Sequence, residues 1–432
     1  MRGRSGGQSH RIQGSVTLLL KFKKMFVSSQ LLNTPAGVND IKILLCGFNM
    51  VFSYRIKSLP PYLFAELDKK ISQKKKEGAD VIDMGVGDPD IPTPRHIIDA
   101  CCKAANNPEN HRYPSYKGML SFREAVSGRY KRDYGLSLNP EDEVITLAGS
   151  KEGIYHIHFA LVNPGDIVLC PSPGYPVYIT GAMLAGGAPY LMPLLKDNDF
   201  LPDLDAIPKD VAKRSKIIWI NYPNNPTSAV ADKGFYRKLV DFAQENDITV
   251  CSDEAYSAIA YDYKPPSFLE VGGARDVGIS FDSLSKTYNM TGWRIGYAVG
   301  SKKIISGLGR VKTNVDSGVS QIIQEAGISA LTSSQDCIKE NVKIYRERRE
   351  ALVDGLNDIG LKCQKPKATF YAWVEVPGGD SVTFANRILD KAAVVLTPGI
   401  GFGKHGEGYV RFALTQPVDR IKEALGRIEK VL

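Results

Sequence analysis

Beyond residue 50 the chain alternates short β-branched runs with longer stretches in which apolar residues recur at helical spacing. The runs Glu143–Leu147, Ile167–Cys170, Lys216–Ile220, Ile248–Cys251, Val277–Phe281 and Arg294–Val299 are apolar at most positions, the pattern of strands covered on both faces. Helical patterns follow at Lys151–Val162, Asp232–Glu245, Ser317–Leu331 and Cys337–Ile359. Strands alternating with helices predict a mostly parallel α/β sheet. The last stretch reads differently. Strands near Phe370–Val376, Val394–Leu396 and Tyr409–Leu414, with helices at Phe384–Lys391 and Asp419–Val431, predict a smaller α+β domain completed by the N-terminal segment around Tyr54 to Lys70. The expected division is a basic extension over 1–49, a segment 50–95 joining the small domain, a large domain over 96–330 and the small C-terminal domain over 331–432. The Lys69–Lys76 charge run reads as the solvated side of a helix.

Composition narrows the classes. The 432 residues are 43% hydrophobic and 24% charged, which excludes a disulfide miniprotein, a collagen-like repeat and a wholly disordered chain. A net charge of +8 invites a nucleic-acid reading, but residues 1–49 carry seven Lys/Arg against one Asp, so nearly all the excess sits there. The balanced remainder lacks the concentrated basic face that phosphate backbones require, so no nucleic acid is expected. An acid-poor basic leader fits an organellar targeting peptide; an initiator placed too far upstream and a disordered extension fit as well. No stretch supplies the roughly 18 consecutive apolar residues of a membrane-spanning helix, so no membrane association is expected. Seven cysteines, odd in number and without a C-x-x-C pair, are read as buried thiols in a reducing compartment, and a cytoplasmic location is expected ahead of organellar import. His156 and His158, two apart on a helical pattern, point to different faces, and no metal site is expected.

In an open parallel sheet, ligands bind beyond the carboxyl ends of the strands. Here those positions hold Ala148-Gly149-Ser150-Lys151, a small-residue turn opening a helix; Asn221 to Thr227; Ser252-Asp253-Glu254-Ala255-Tyr256; and Asp282 to Thr287, followed by Gly292-Trp293-Arg294. A helix N-terminus, an amide, a carboxylate, a phenol, hydroxyls, a lysine and an arginine around one crevice all have a use if the ligand is pyridoxal 5'-phosphate. The lysine binds its aldehyde carbon, a carboxylate keeps the pyridine nitrogen protonated, neutral donors hold the ring oxygen, and hydroxyls, an arginine and the helix end hold the phosphate.

The fragments Asn225-Pro226-Thr227, Asp253-Glu254-Ala255-Tyr256, Ser283-Leu284-Ser285-Lys286 with Arg294 eight residues on, and Tyr409-Val410-Arg411-Phe412 stand in the order of the class I/II aminotransferases. From about Val51 to Leu432 the chain resembles that family of fold-type I pyridoxal-phosphate enzymes. Its wording at Ser58 to Phe64, Gly85 to Asp90, Gly149 to Gly153 and Ser285 to Arg294 is most similar to the diaminopimelate branch. The resemblance implies a mostly parallel seven-stranded sheet in a large domain plus a small α+β domain, and a homodimer with shared active sites. It makes Lys286 the Schiff-base lysine and proton shuttle, pairs Asp253 with the pyridine nitrogen and gives the ring oxygen to Asn225 and Tyr256. Ser150, Lys151, Ser283, Ser285 and Arg294 would hold the phosphate, with Tyr113 reaching it from the neighbouring subunit, and Tyr175 would stack on the ring. Arg411 would clamp the substrate α-carboxylate with help from the Gly87 backbone.

Two departures stand out. Ser228 follows Thr227 where the family commonly has glycine. Tyr116 takes the place at which plant-type diaminopimelate enzymes carry a glutamate toward the distal end of the substrate. The implied reaction moves an amino group from glutamate to tetrahydrodipicolinate in its open keto form. A broad aspartate, alanine or aromatic aminotransferase, a carbon–sulfur lyase on the same fold, and a non-catalytic effector-binding protein are the alternatives. A dinucleotide oxidoreductase is disfavoured because Gly85-Val86-Gly87 lacks the third glycine and Pro89 and Pro92 follow it.

Overall fold

The computed structural model describes residues 52–60 and 63–432, without the side chains of 63–68. The basic segment 1–49 and part of the Ser58 to Phe64 wording therefore lie outside the described residues. Residues 1–57 and 58–432 form separate units; in the first, the described part is the start of a short helix, Tyr54–Ser58.

In chain order the strands are β1 (Ile82–Asp83), β2 (Val144–Leu147), β3 (Ile167–Ser172), β4 (Ala188–Pro193), β5 (Ser215–Asn221), β6 (Thr249–Asp253), β7 (Gly278–Ser283), β8 (Gly296–Gly300), β9 (Tyr371–Glu375), β10 (Val394–Val395), β11 (Thr397–Pro398) and β12 (Tyr409–Ala413). Seven of them form one sheet in the order β2-β8-β7-β6-β5-β3-β4, parallel except that β8 runs against both its neighbours. The apolar runs dictate this. Ile218 and Ile220 pack on one face with Val250, Tyr236 and Leu239, while Ile217 and Trp219 pack on the other with Cys251, Ile279 and Phe281. A strand buried on both faces has no polar side to present, so helices cover the sheet on each side.

The reversed β8 matters for the site. Its first residue, Gly296, pairs with Leu147 of β2 and Ser283 of β7. Whatever precedes Gly296 is therefore delivered to the end of the sheet at which the parallel strands finish. The sequence pattern predicts a strand from Arg294; the structure starts it at Gly296, because Arg294 sits at φ 54° and turns the chain out of the sheet.

A second apolar core joins Met84 of the N-terminal segment to Tyr345, Phe370, Val374, Ile388, Phe412 and Leu425. It surrounds the antiparallel sheet β11-β12-β9, with β1 paired to β10 beside it. The helix Leu63–Lys76 reaches this region through Ile71, which packs on Leu389 and Val395. Several elements depart from the sequence pattern, the helices Arg95–Ala105, Leu120–Tyr134 and Val177–Ala185 among them. Strand β4 is an edge strand carrying two prolines and little burial, so neither alternation nor an apolar run announces it. The predicted helix 317–331 begins at Gln321, after Gly318 at φ 85°, and a separate helix, Lys302–Val315, precedes the break.

Among the described residues, no helix is long and apolar enough to cross a membrane. Glu152, His156 and Asp316 lie close enough together to ligate a cation. The buried Lys312 ammonium is already there, 3.2 Å from Glu152 and 2.9 Å from Asp316.

Candidate active site

Beyond the ends of β2, β5, β6 and β7 lies a cavity of about 440 Å³. Of the positions singled out by sequence, it is lined by Gly87, Ser150, Lys151, Tyr175, Asn225, Asp253, Tyr256, Ser283, Ser285, Lys286, Arg294 and Arg411. Tyr113 and Tyr116 are not brought to it: they are 89% and 47% exposed. Val86, Asp88, Asn221, Ala255 and Thr291, which lie within the stretches quoted above but were given no role, complete the wall with Tyr178 and Tyr371, which the sequence reading did not single out as site residues.

The anion end is built around Gly149. At φ 81° it takes a conformation that L side chains rarely adopt, and a Cβ there would meet Arg294 Nη2 at 2.5 Å. Glycine thus lets the guanidinium lie against the turn from which the helix Ser150–Leu161 starts. Arg294 is fixed there by its own bond to the Thr291 carbonyl, 2.8 Å away. Ser283 caps the short helix Leu284–Thr287 by accepting the Ser285 N–H at 3.2 Å, which leaves its hydroxyl proton available to a ligand. A helix start, hydroxyls and a guanidinium make a place for a dianion.

At the end of β6, Asp253 closes the strand and Glu254 follows it, and their carboxylates point opposite ways. Glu254 faces the core, where the Ser252 and Ser280 hydroxyls both donate to it at 2.9 Å and burial raises it to about 7. Asp253 faces the cavity. Burial raises it to about 6, opposed by the Tyr178 hydroxyl, which donates to Oδ2 at 2.8 Å, and by the Ala255 N–H at 3.4 Å. It is therefore an anion at neutral pH, with Oδ1 lightly bonded.

Lys286, on the short helix after β7, donates to the Gly87 carbonyl at 2.8 Å. Burial lowers it to about 8, against the pull of Asp88 and with help from Arg411 and Arg294. A lysine so placed keeps a useful share of neutral amine near pH 7, the form that attacks a carbonyl carbon.

Arg411 is brought from β12. Its guanidinium lies 4.2 Å from the Tyr371 ring centroid, donates to Asn225 Oδ1 at 2.7 Å and to the Gly85 carbonyl at 2.6 Å. Taking the Asn225 oxygen orients that amide, leaving its NH₂ as the group it can offer a ligand. Tyr256 shares a hydroxyl–hydroxyl bond of 3.0 Å with Tyr371. Gly87 is glycine for a steric reason: a Cβ there would meet Tyr371 Oη at 2.0 Å. Ser228, at φ 61°, occupies a backbone region that favours glycine, and its hydroxyl donates to the Tyr371 carbonyl at 2.8 Å. The residue thus ties the turn after Asn225 to β9.

These groups fit pyridoxal phosphate: an amine of lowered pKa, a buried carboxylate with one oxygen toward the cavity, two neutral donors and an anion cradle. Comparison with known proteins agrees. Residues 79–428 match the family described as Aminotransferase class I and II. The LL-diaminopimelate aminotransferase of Aquifex aeolicus is 57% identical over 382 residues, covering 88% of this chain and 99% of that protein. The enzyme of the same name from Moorella thermoacetica is 55% identical, covering 88% and 97%. The structure of substrate-bound BacF from Bacillus subtilis superposes with a TM-score of 0.85 at 40% identity, covering 88% of this chain and 97% of that one. The chain belongs to the class I and II aminotransferases, transaminases that depend on pyridoxal phosphate.

Proposed function

We propose that this transaminase acts on LL-diaminopimelate, in the biosynthetic direction moving the amino group of glutamate to tetrahydrodipicolinate and releasing 2-oxoglutarate. The observation that carries the reading is identity above half the aligned positions, across nearly the full length, with proteins named for that reaction.

Bound pyridoxal phosphate supplies an aldehyde carbon for amines and a protonated ring that accepts the electrons freed when the substrate loses its Cα proton. Lys286 would hold the aldehyde carbon through its amine and, once that bond is exchanged for the substrate's, would serve as the base that moves the proton. Asp253 Oδ1 would keep the ring nitrogen protonated. Asn225 Nδ2 and the Tyr256 hydroxyl would hold the ring oxygen, and Tyr175 would cover the ring. Ser150, Lys151, Ser283, Ser285 and Arg294 hold the phosphate. Arg411 takes the α-carboxylate as a planar fork, with the Gly87 backbone beside it.

We read the chain as a cytoplasmic protein; the exposed Tyr113 ring supports a homodimer in which each chain lends that phenol to its partner's phosphate, with Tyr116 on the same loop meeting the distal end of the substrate. A phenol binds the distal ammonium less strongly than a carboxylate would. The test is a set of half-reactions with the purified holoenzyme, following the visible absorbance of the bound cofactor. LL-Diaminopimelate and glutamate are expected to discharge it faster than meso-diaminopimelate, aspartate, alanine or phenylalanine. A clear preference for aspartate or phenylalanine would move the chain to the broad-aminotransferase reading.

A further inference from the structure

We propose that Tyr178 is a positioning residue for amino transfer, acting through Asp253 to keep the cofactor's ring nitrogen protonated. This inference rests on the assignment of Asp253 made above.

Tyr178 lies on the helix Val177–Ala185, 75 positions before Asp253, and its hydroxyl donates to Asp253 Oδ2 at 2.8 Å. That bond decides which carboxylate oxygen faces the ligand. With Oδ2 engaged, Oδ1, which among the described residues accepts only the Ala255 N–H at 3.4 Å, is the oxygen left for a ring N–H. Asp253 is 5% exposed, so a lost protein donor is not readily replaced by water.

The phenol is itself held in place. Its ring stacks on Trp219, with centroids 4.8 Å apart and planes 18° from parallel. The Trp219 N–H donates to His158 Nε2 at 3.0 Å, and His158 Nδ1 lies 2.7 Å from the Ile154 carbonyl. An indole N–H can only donate and a carbonyl can only accept, so His158 carries its proton on Nδ1 and is neutral; burial lowers it to about 4. The chain of contacts ends on the backbone of the helix whose first turn forms the anion end of the cavity, so one rigid path sets both ends of the ligand.

The charged and titratable groups around this pair do not supply the donor in its place. Asp282 adds negative charge, but its carboxylate is paired with Arg129 at 2.8 Å. Tyr175 and Tyr256 act on Tyr178 through space, and burial raises Tyr178 well above its ordinary value, so it remains a donor at any working pH. Lys286, with Asp88, Arg411 and Arg294 around it, forms the other pole of the cavity.

Removing the hydroxyl raises the proton affinity of Asp253, draws the shared proton from the ring nitrogen and makes the ring a poorer electron acceptor. It also makes the bound cofactor's own protonated group harder to deprotonate. Tyr178→Phe keeps the ring stack and deletes one atom. Its holoenzyme is expected to lose about tenfold in kcat with KM for LL-diaminopimelate little changed, and the pH midpoint of the bound cofactor's visible absorbance should rise by about one unit. Site-specific difluorotyrosine at position 178, nearly isosteric and a stronger donor, should lower that midpoint. Tyr178→Phe with wild-type kcat and midpoint, while Asp253→Asn shifts both, would overturn the role of Tyr178 and leave that of Asp253 standing. A fall in kcat with an unchanged midpoint and a lowered Tm would assign Tyr178 to packing alone. If neither variant moves the midpoint, the assignment of Asp253 fails and this one fails with it.

Discussion

Lys286→Ala is expected to give a folded protein in which amino transfer has fallen by at least about 10⁴-fold, the upper range for a positioned proton-transfer group. Among the described residues, no other amine is placed to substitute for it. Lys151, the other lysine lining the cavity, lies at the anion end, 5.9 Å from the Tyr175 ring, whereas Lys286 lies beside the substrate end, bonded to the Gly87 carbonyl at 2.8 Å. The fold should not suffer. Burial disfavours the lysine's charged form, and the helix it sits on is capped by Ser283 rather than by the lysine. Turnover and Tm, measured side by side, check both halves of the expectation. Turnover near wild type in this variant would remove Lys286 from the chemistry.

Asp253→Asn is expected to lower kcat by roughly 10²–10³ while leaving KM nearly unchanged, a loss comparable to removing one preorganised electrostatic partner from a transition state. The amide is almost the same size and can still accept the Tyr178 hydroxyl, so packing is preserved. It cannot hold a proton on the ring nitrogen, because it carries no charge to balance that proton. In the proposed site the substrate carboxylate falls to Arg411, which is bonded to Asn225 and to the Gly85 carbonyl, and neither of these bonds involves the Asp253 side chain. Steady-state kinetics with LL-diaminopimelate and 2-oxoglutarate decide it, and a raised KM with unchanged kcat would contradict the role.

What the sequence makes legible here is what is local to a strand end. Asn225, Asp253, Tyr256 and Lys286 each follow an apolar run within a few residues, so a parallel sheet delivers them to one side without any knowledge of the rest of the chain. Arg411 was reachable through resemblance, yet its setting was not: the Tyr371 ring beneath it and Asn225 beside it come from segments 40 and 186 residues away. Tyr178 gave no signal because an aromatic in a short apolar helix is an ordinary core feature. Strand β4 was hidden by its prolines and its place at the sheet edge. The turn at Arg294 was hidden because an apolar run shows where a strand can form and says nothing about the φ of the residue before it. The loop with Tyr113 and Tyr116 shows the reverse case, residues singled out by sequence that a single chain leaves in solvent.

The central claim is that this cavity binds pyridoxal phosphate covalently through Lys286, and reductive trapping tests it most directly. The holoenzyme is treated with borohydride, digested, and its peptides mapped by mass. The result expected is one phosphopyridoxyl group, on Lys286, in the peptide that follows Ser283. A label on Lys151 or another lysine, or none on a protein that still transaminates, would contradict it.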